Sequence, residues 1–200
     1  METGQASTWS PGASPRRGVC VWLTGLSGSG KTTTALALGA RLAELGYATR
    51  LLDGDEIRRT LSPDLGFSRT DRDANVLRVA SLAKASVDSG AIVLCALISP
   101  YRAARRAARD LIGADAFVEV FVECPLAVCE ARDPKGLYAR ARRGSVSDFT
   151  GIDAPYEPPT SADLVLRTEA ASVDENAGRV VELLSARFFA PGAPVARIAG

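Results

Sequence analysis

Gly25-Leu26-Ser27-Gly28-Ser29-Gly30-Lys31-Thr32 is a complete G-x-x-x-x-G-K-[ST] phosphate-binding loop. Before it, Val19-Cys20-Val21-Trp22-Leu23 is a continuous apolar run, the pattern of a strand buried on both faces. After it, Leu38, Leu42 and Leu45 recur at helical spacing and Gly46 supplies a stop. Strand, loop and helix in that order are the context the motif requires. Its glycines let backbone N–H groups turn inward around phosphate oxygens, and the helix N-terminus adds the positive end of its dipole. Lys31 is expected to reach the β- and γ-phosphates and the Thr32 hydroxyl to hold Mg²⁺. The loop therefore predicts a nucleoside triphosphate as ligand.

Outward from the loop, short apolar runs alternate with helical patterns. Strands are expected at Ala48–Leu52, Ala91–Ile98, Phe117–Val122 and Leu164–Leu166. Helices are expected over about 71–88, introduced by Ser68-x-x-Asp71, as a basic helix after Ser99-Pro100 through Asp110, at Leu126–Ala131 and over 173–187. A Gly/Arg/Lys-rich segment covers 133–146, and an irregular stretch runs on through Pro159. Such alternation predicts an α/β, P-loop NTPase-type fold: a doubly wound, mainly parallel sheet flanked by helices. Residues 1–18, rich in Ser, Thr, Gly and Pro, read as a flexible tail, and 19–200 as one domain with a basic lid at about 133–158.

Composition narrows the chemistry. There is no histidine, which excludes a His general base, a His-ligated zinc and a Ser-His-Asp triad. The balance of 24 basic against 23 acidic residues gives no reason to expect nucleic acid or a membrane surface. Cys20, Cys95, Cys124 and Cys129 stand at no metal-ligand spacing and read as core thiols of a reducing, cytoplasmic compartment.

Polar residues of interest gather where strands end, the place where ligands sit in such sheets. Asp53-Gly54-Asp55 could bind Mg²⁺ or accept a proton from an attacking hydroxyl, and Arg58 could reach an anion; the same residues would also make a plain turn with an N-cap. On the helix from 71, Val76, Val79, Ala83 and Val87 form an apolar stripe that Arg72 and Asn75 continue, which suggests a ligand-facing cleft. Arg132, Lys135, Arg140, Arg142 and Arg143 suit a lid over a transferring phosphoryl group, or a solvated helix. Phe67 and Phe149 lie in glycine-containing loops, where a ring can stack on a base or anchor the loop.

Taken in order, GLSGSGKTT (25–33), LDGDEIR (52–58), DLGFS (64–68), Asp71-Arg72 with Asn75, ISPYR (98–102), RDPKGLY (132–138) and FTGIDAPYE (149–157) resemble the adenylylsulfate kinase (APS kinase) family over residues 18–187. The resemblance implies transfer of the γ-phosphoryl of MgATP to the 3′-hydroxyl of adenosine 5′-phosphosulfate (APS), giving ADP and PAPS. It implies that Gly28 through Thr33 hold the ATP phosphates. Asp55 would stand near the 3′-hydroxyl and, with Thr32, near Mg²⁺. Arg58, Arg72 and Asn75 would grip the phosphosulfate and ribose, and Phe67 and Phe149 would sandwich the adenine. Ile98 and Ser99 would touch the substrate through the backbone, and Lys135 would approach from the lid. The family labels Ser99 a phosphoserine intermediate, although in-line transfer between two bound nucleotides needs no enzyme nucleophile. Relatives are typically homodimers. Glu56 where Asn is common, and Ser147-Asp148 where a Lys-containing pair is usual, depart from the family pattern. The competing expectations are a P-loop kinase for another small nucleotide or metabolite, and a non-catalytic relic that only binds nucleotide. A guanine-reading N-K-x-D motif is missing, which argues against a GTPase.

Overall fold

The computed structural model describes residues 17–189; residues 1–16 of the expected tail, and residues 190–200, lie outside them. Five parallel strands, β1 (Val19–Thr24), β2 (Thr49–Asp53), β3 (Ile92–Ala96), β4 (Phe117–Glu123) and β5 (Leu164–Arg167), form one sheet in the order β2–β3–β1–β4–β5. From β1 the chain goes outward to β2, returns to β3, then crosses β1 to β4 and β5. The reversal places a crevice at the carboxyl end of β1, where the phosphate loop begins.

Each face of the sheet carries its own core. On β1, Val19, Val21 and Leu23 point to one side and pack with Leu38 and Leu42 of α1 (Lys31–Glu44) and Val180 and Leu184 of α7 (Val173–Phe188). Cys20 and Trp22 point to the other side and pack with Val79 and Ala83 of α3 (Arg69–Asp88) and Ala104 and Ala108 of α4 (Arg102–Ile112). Period-two alternation between two helical layers is why β1 reads as unbroken apolar sequence. All four cysteines are buried free thiols, as expected. Among the described residues no helix is long and apolar enough to cross a membrane.

Two short helices depart from the sequence reading. α2 (Gly54–Thr60) starts directly from β2, with the Asp53 side chain accepting the Asp55 N–H at 2.9 Å, so Asp53 is an N-cap as well as a cleft residue. After the expected α5 (Leu126–Arg132), the Gly/Arg/Lys-rich segment forms α6 (Leu137–Arg142), whose first turn is capped by the Asp133 carboxylate. Helix α3 begins two residues before the expected 71, with Ser68 accepting from Asp71 N–H as its N-cap. Strand β3 stops at Ala96 instead of Ile98. Leu97 still donates to Leu23 O, but Thr24 captures the Ile98 carbonyl at 2.7 Å and Ser99 turns to φ 41. That departure carries Ile98 and Ser99 out of the sheet and into the crevice wall.

Candidate active site

The phosphate loop is built on close approaches. A Cβ at Gly25 would sit 2.5 Å from the Val122 carbonyl oxygen, so only glycine lets the loop leave β1 against β4. Gly28 at φ 72 occupies the left-handed region that favours glycine. The Lys31 ammonium folds back to donate to the Gly25 and Leu26 carbonyls at 2.9 and 2.6 Å. Burial, its largest influence, lowers its pKa to about 8, further helped by Lys135 and opposed by Cys129 and Asp53.

A cavity of about 1180 Å³ opens from this loop. One half is lined by Gly28, Gly30, Lys31, Thr32 and Thr33, together with Arg132, Thr168, Ala171 and Val173. Arg132 donates to the Thr168 carbonyl at 2.9 Å, and Thr168 Oγ1 donates to Ser29 O at 2.9 Å, so β5's exit is tied to the loop. Of the expected loop residues, Ser27 also lines the cavity. Gly25, Leu26 and Ser29 do not: they shape the loop from behind.

The other half holds every residue expected to grip an acceptor: Asp55, Arg58, Phe67, Arg72, Asn75, Ile98, Ser99, Lys135 and Phe149. Helix α3 buries Arg72 and Asn75 at 6% and 5% exposure, as their place on its apolar stripe predicts. Arg72 donates to the Phe67 and Asp148 carbonyls at 2.9 and 2.5 Å and so joins the two aromatic loops. Asp148 lies at φ 55, a conformation Asp tolerates better than most side chains. Arg58 donates to the Gly66 carbonyl, and both guanidiniums lie over the Phe67 ring, at 4.6 and 5.4 Å. Because both direct their hydrogen bonds to neutral carbonyls, their charges stay available to an anion. Burial lowers both pKa values, and Arg72 lowers that of Arg58 further. Asn75 Oδ1 and Thr150 Oγ1 are buried at the cavity without a hydrogen-bond partner, the state expected of groups that meet a ligand. Thr150, inside the FTG motif, carries no periodicity or charge signal in the sequence.

Between the halves stand Asp53 and Asp55. Thr32 Oγ1 donates to Asp53 Oδ2 at 2.7 Å, and the Lys135 ammonium pairs with Asp55 across the cleft. Ser99 is 3% exposed; its hydroxyl accepts from Trp22 Nε1 at 3.1 Å and donates to Thr24 Oγ1 at 2.9 Å. The two expected stacking rings differ. Phe67 is 53% exposed, whereas Phe149 is buried with its ring edge-on to Tyr138 at 4.9 Å.

The family model for adenylylsulphate kinase matches residues 17–167. The chain belongs to the adenylylsulphate kinase family. An adenylyl-sulfate kinase of Halothermothrix orenii is 51% identical over 87% of this chain and 93% of its own length. That of Paraburkholderia xenovorans is 53% identical over 84% and 93%. Among solved structures, the APS kinase CysC of Mycobacterium tuberculosis in complex with AMPPNP and APS aligns with a TM-score of 0.82 and 48% identity, covering 86% of this chain and 99% of that one.

The lowered Lys31 pKa has a measurable consequence. Phosphate oxygens favour the ammonium form, so below a pH of about 8 the free chain is already protonated and nucleotide affinity is flat. Above it, binding must take up a proton, and affinity falls by up to about tenfold per pH unit. Calorimetry of a non-transferable ATP analogue in two buffers of different ionisation enthalpy should show uptake rising toward about one proton, abolished in Lys31→Met. Absence of uptake in the native chain would show that Lys31 is not the group that titrates.

Proposed function

We propose that this chain transfers the γ-phosphoryl of MgATP to the 3′-hydroxyl of APS, producing PAPS and ADP. The observation that carries the reading is the single cavity, with a phosphate loop at one end and an arginine-and-aromatic chamber at the other, large enough for two nucleotides. In this reading Gly28 to Thr33 hold the donor phosphates, and Arg132 and Thr168 border its base. Arg58 and Arg72 take the phosphosulfate, Asn75 and Thr150 offer their unpartnered oxygens to the acceptor nucleoside, and Phe67 and Phe149 flank its adenine. Lys135 moves from Asp55 to the substrate as the segment 133–158 closes as a lid, which frees the Asp55 carboxylate to accept the hydroxyl proton.

The oxygen donors Thr32 and Asp55, backed by Asp53, suit Mg²⁺, which is commonly held by one or two protein oxygens plus substrate phosphates. When bound with ATP, the cation supplies charge neutralisation on the β- and γ-oxygens. A homodimer fits the solvent-facing Leu61 and Leu77 on the α2–α3 side, and light scattering tests it. A cytoplasmic location fits the four free core thiols.

Ser99 acts here as a strut. In Ser99→Ala, Trp22 Nε1 loses its partner and stability falls by about 1–3 kcal/mol, while kcat stays within about tenfold. A folded variant with kcat reduced more than about a thousandfold would instead support a phosphoseryl intermediate.

The deciding assay is ADP release from MgATP with and without low-micromolar APS, with AMP as a parallel acceptor. APS-dependent release with PAPS as co-product establishes the activity. Release with AMP alone points to a nucleotide kinase, and none with either to a binding module.

A further inference from the structure

Beneath the cavity lies a third apolar cluster, separate from the two sheet cores, in which Tyr138 and Phe149 pack with Cys129 and Leu26. Tyr138 is 2% exposed and touches both halves of the site. Its hydroxyl donates to the Ser27 carbonyl at 2.9 Å. Its ring meets Phe149 at 82°, an edge-on contact. Its own backbone is fixed by Asp133, whose Oδ1 accepts the Tyr138 N–H at 3.1 Å.

The hydroxyl bond acts on the phosphate loop through peptide geometry. In a trans peptide the carbonyl and the following N–H point in opposite directions. Holding the Ser27 carbonyl on the Tyr138 side therefore turns the Gly28 N–H the other way, toward the cavity that Gly28 lines. Phe149 sits on an equally rigid turn: its N–H donates to Asp153 at 2.6 Å, and Arg72 holds the preceding carbonyl. Leu26 reaches the same turn, since a Cβ at Gly151 would lie 3.0 Å from Leu26 Cδ2. Consecutive residues of the donor loop are thus in contact with the acceptor turn, one directly and one through a single side chain.

We propose that Tyr138 is a positioning residue that couples the two nucleotide sites, its hydroxyl orienting the donor-phosphate loop and its ring the acceptor aromatic Phe149. The inference rests on the functional reading above. Occupation of either site stabilises the arrangement the other requires, and the coupling is reciprocal by thermodynamic necessity.

The test is the dissociation constant of a β,γ-imido analogue of ATP, which cannot transfer its phosphoryl, measured calorimetrically with and without saturating APS, and the converse titration. In the native chain each ligand tightens the other by one common factor, about fivefold or more. Tyr138→Phe keeps the ring against Phe149 and removes only the hydroxyl. It should weaken the analogue about 3- to 10-fold, leave APS alone within about twofold, and bring the common factor close to one. Tyr138→Leu removes both contacts and weakens APS as well. A native factor of one overturns the inference, as does a Tyr138→Phe factor equal to the native one. Variants that lose thermal stability but keep the native factor would assign Tyr138 to packing alone, which also overturns it. If the native chain fails to bind APS at all, it is the functional reading that falls.

Discussion

Asp55→Asn is expected to lower kcat by about 10²- to 10⁴-fold while leaving the affinity for a non-transferable ATP analogue within a few-fold of native. The carboxylate stands between the phosphate loop and the arginine chamber, more than half exposed, and its partner is the Lys135 ammonium on the opposite wall. Asparagine preserves its volume but cannot accept the hydroxyl proton. None of the loop contacts depends on Asp55: Lys31 bonds to Gly25 and Leu26, and Thr32 bonds to Asp53. The loss should therefore fall on turnover and spare donor binding. Because the side chain is exposed, stability should stay within about 0.5 kcal/mol of native. Steady-state kinetics alongside calorimetry separates the two effects. Turnover within tenfold of native would remove Asp55 from the reacting centre.

How much of this was legible in the sequence depended on the length of each pattern. The strands were visible because burial on both faces leaves no polar interruption in Val19–Leu23 or Ile92–Ala96. Helix α3 spans 20 residues, enough turns for its stripe alone to place Arg72 and Asn75 inward. α2 and α6, of seven and six residues, are too short for a 3.6-residue period to repeat, and Asp53 at the start of α2 is open in sequence to both a cleft and an N-cap reading. β3 ends two residues short of the expected Ile98; Leu97 and Ile98 are apolar whether they lie in a sheet or line a crevice. The residues that the motifs single out line one cavity, yet the motifs do not separate the exposed Phe67 from the buried Phe149. Only the Tyr138 contact does that.

Arg105→Ala is expected to be strongly destabilising. In sequence Arg105 belongs to the basic helix expected to run through Asp110. In the fold it is 3% exposed on the inner face of α4. Its Nε pairs with Glu119 at 2.7 Å, Nη1 donates to Ser99 O at 2.7 Å, and Nη2 donates to Glu157 O at 2.7 Å. One guanidinium thus holds β4, the turn carrying Ser99 at positive φ, and the irregular segment after the FTG turn. Truncation leaves a mostly buried Glu119 carboxylate and the Glu157 carbonyl without their partner, and leaves the Ser99 carbonyl with only the Thr24 hydroxyl at 3.4 Å. Breaking a buried pair on one side costs about 3–5 kcal/mol, because the remaining charge cannot be rehydrated. For a chain of this size that is a fall in Tm of roughly 6–20 °C. Arg105→Lys is the informative companion: an ammonium can face Glu119 but cannot present the planar fork that spans all three acceptors. It should recover part of the stability and leave a deficit of about 1–3 kcal/mol for the carbonyls it abandons. Denaturant unfolding of the three proteins measures both steps. A loss below about 1 kcal/mol in Arg105→Ala would mean that the Ser99 turn is held by Thr24 and Trp22 alone.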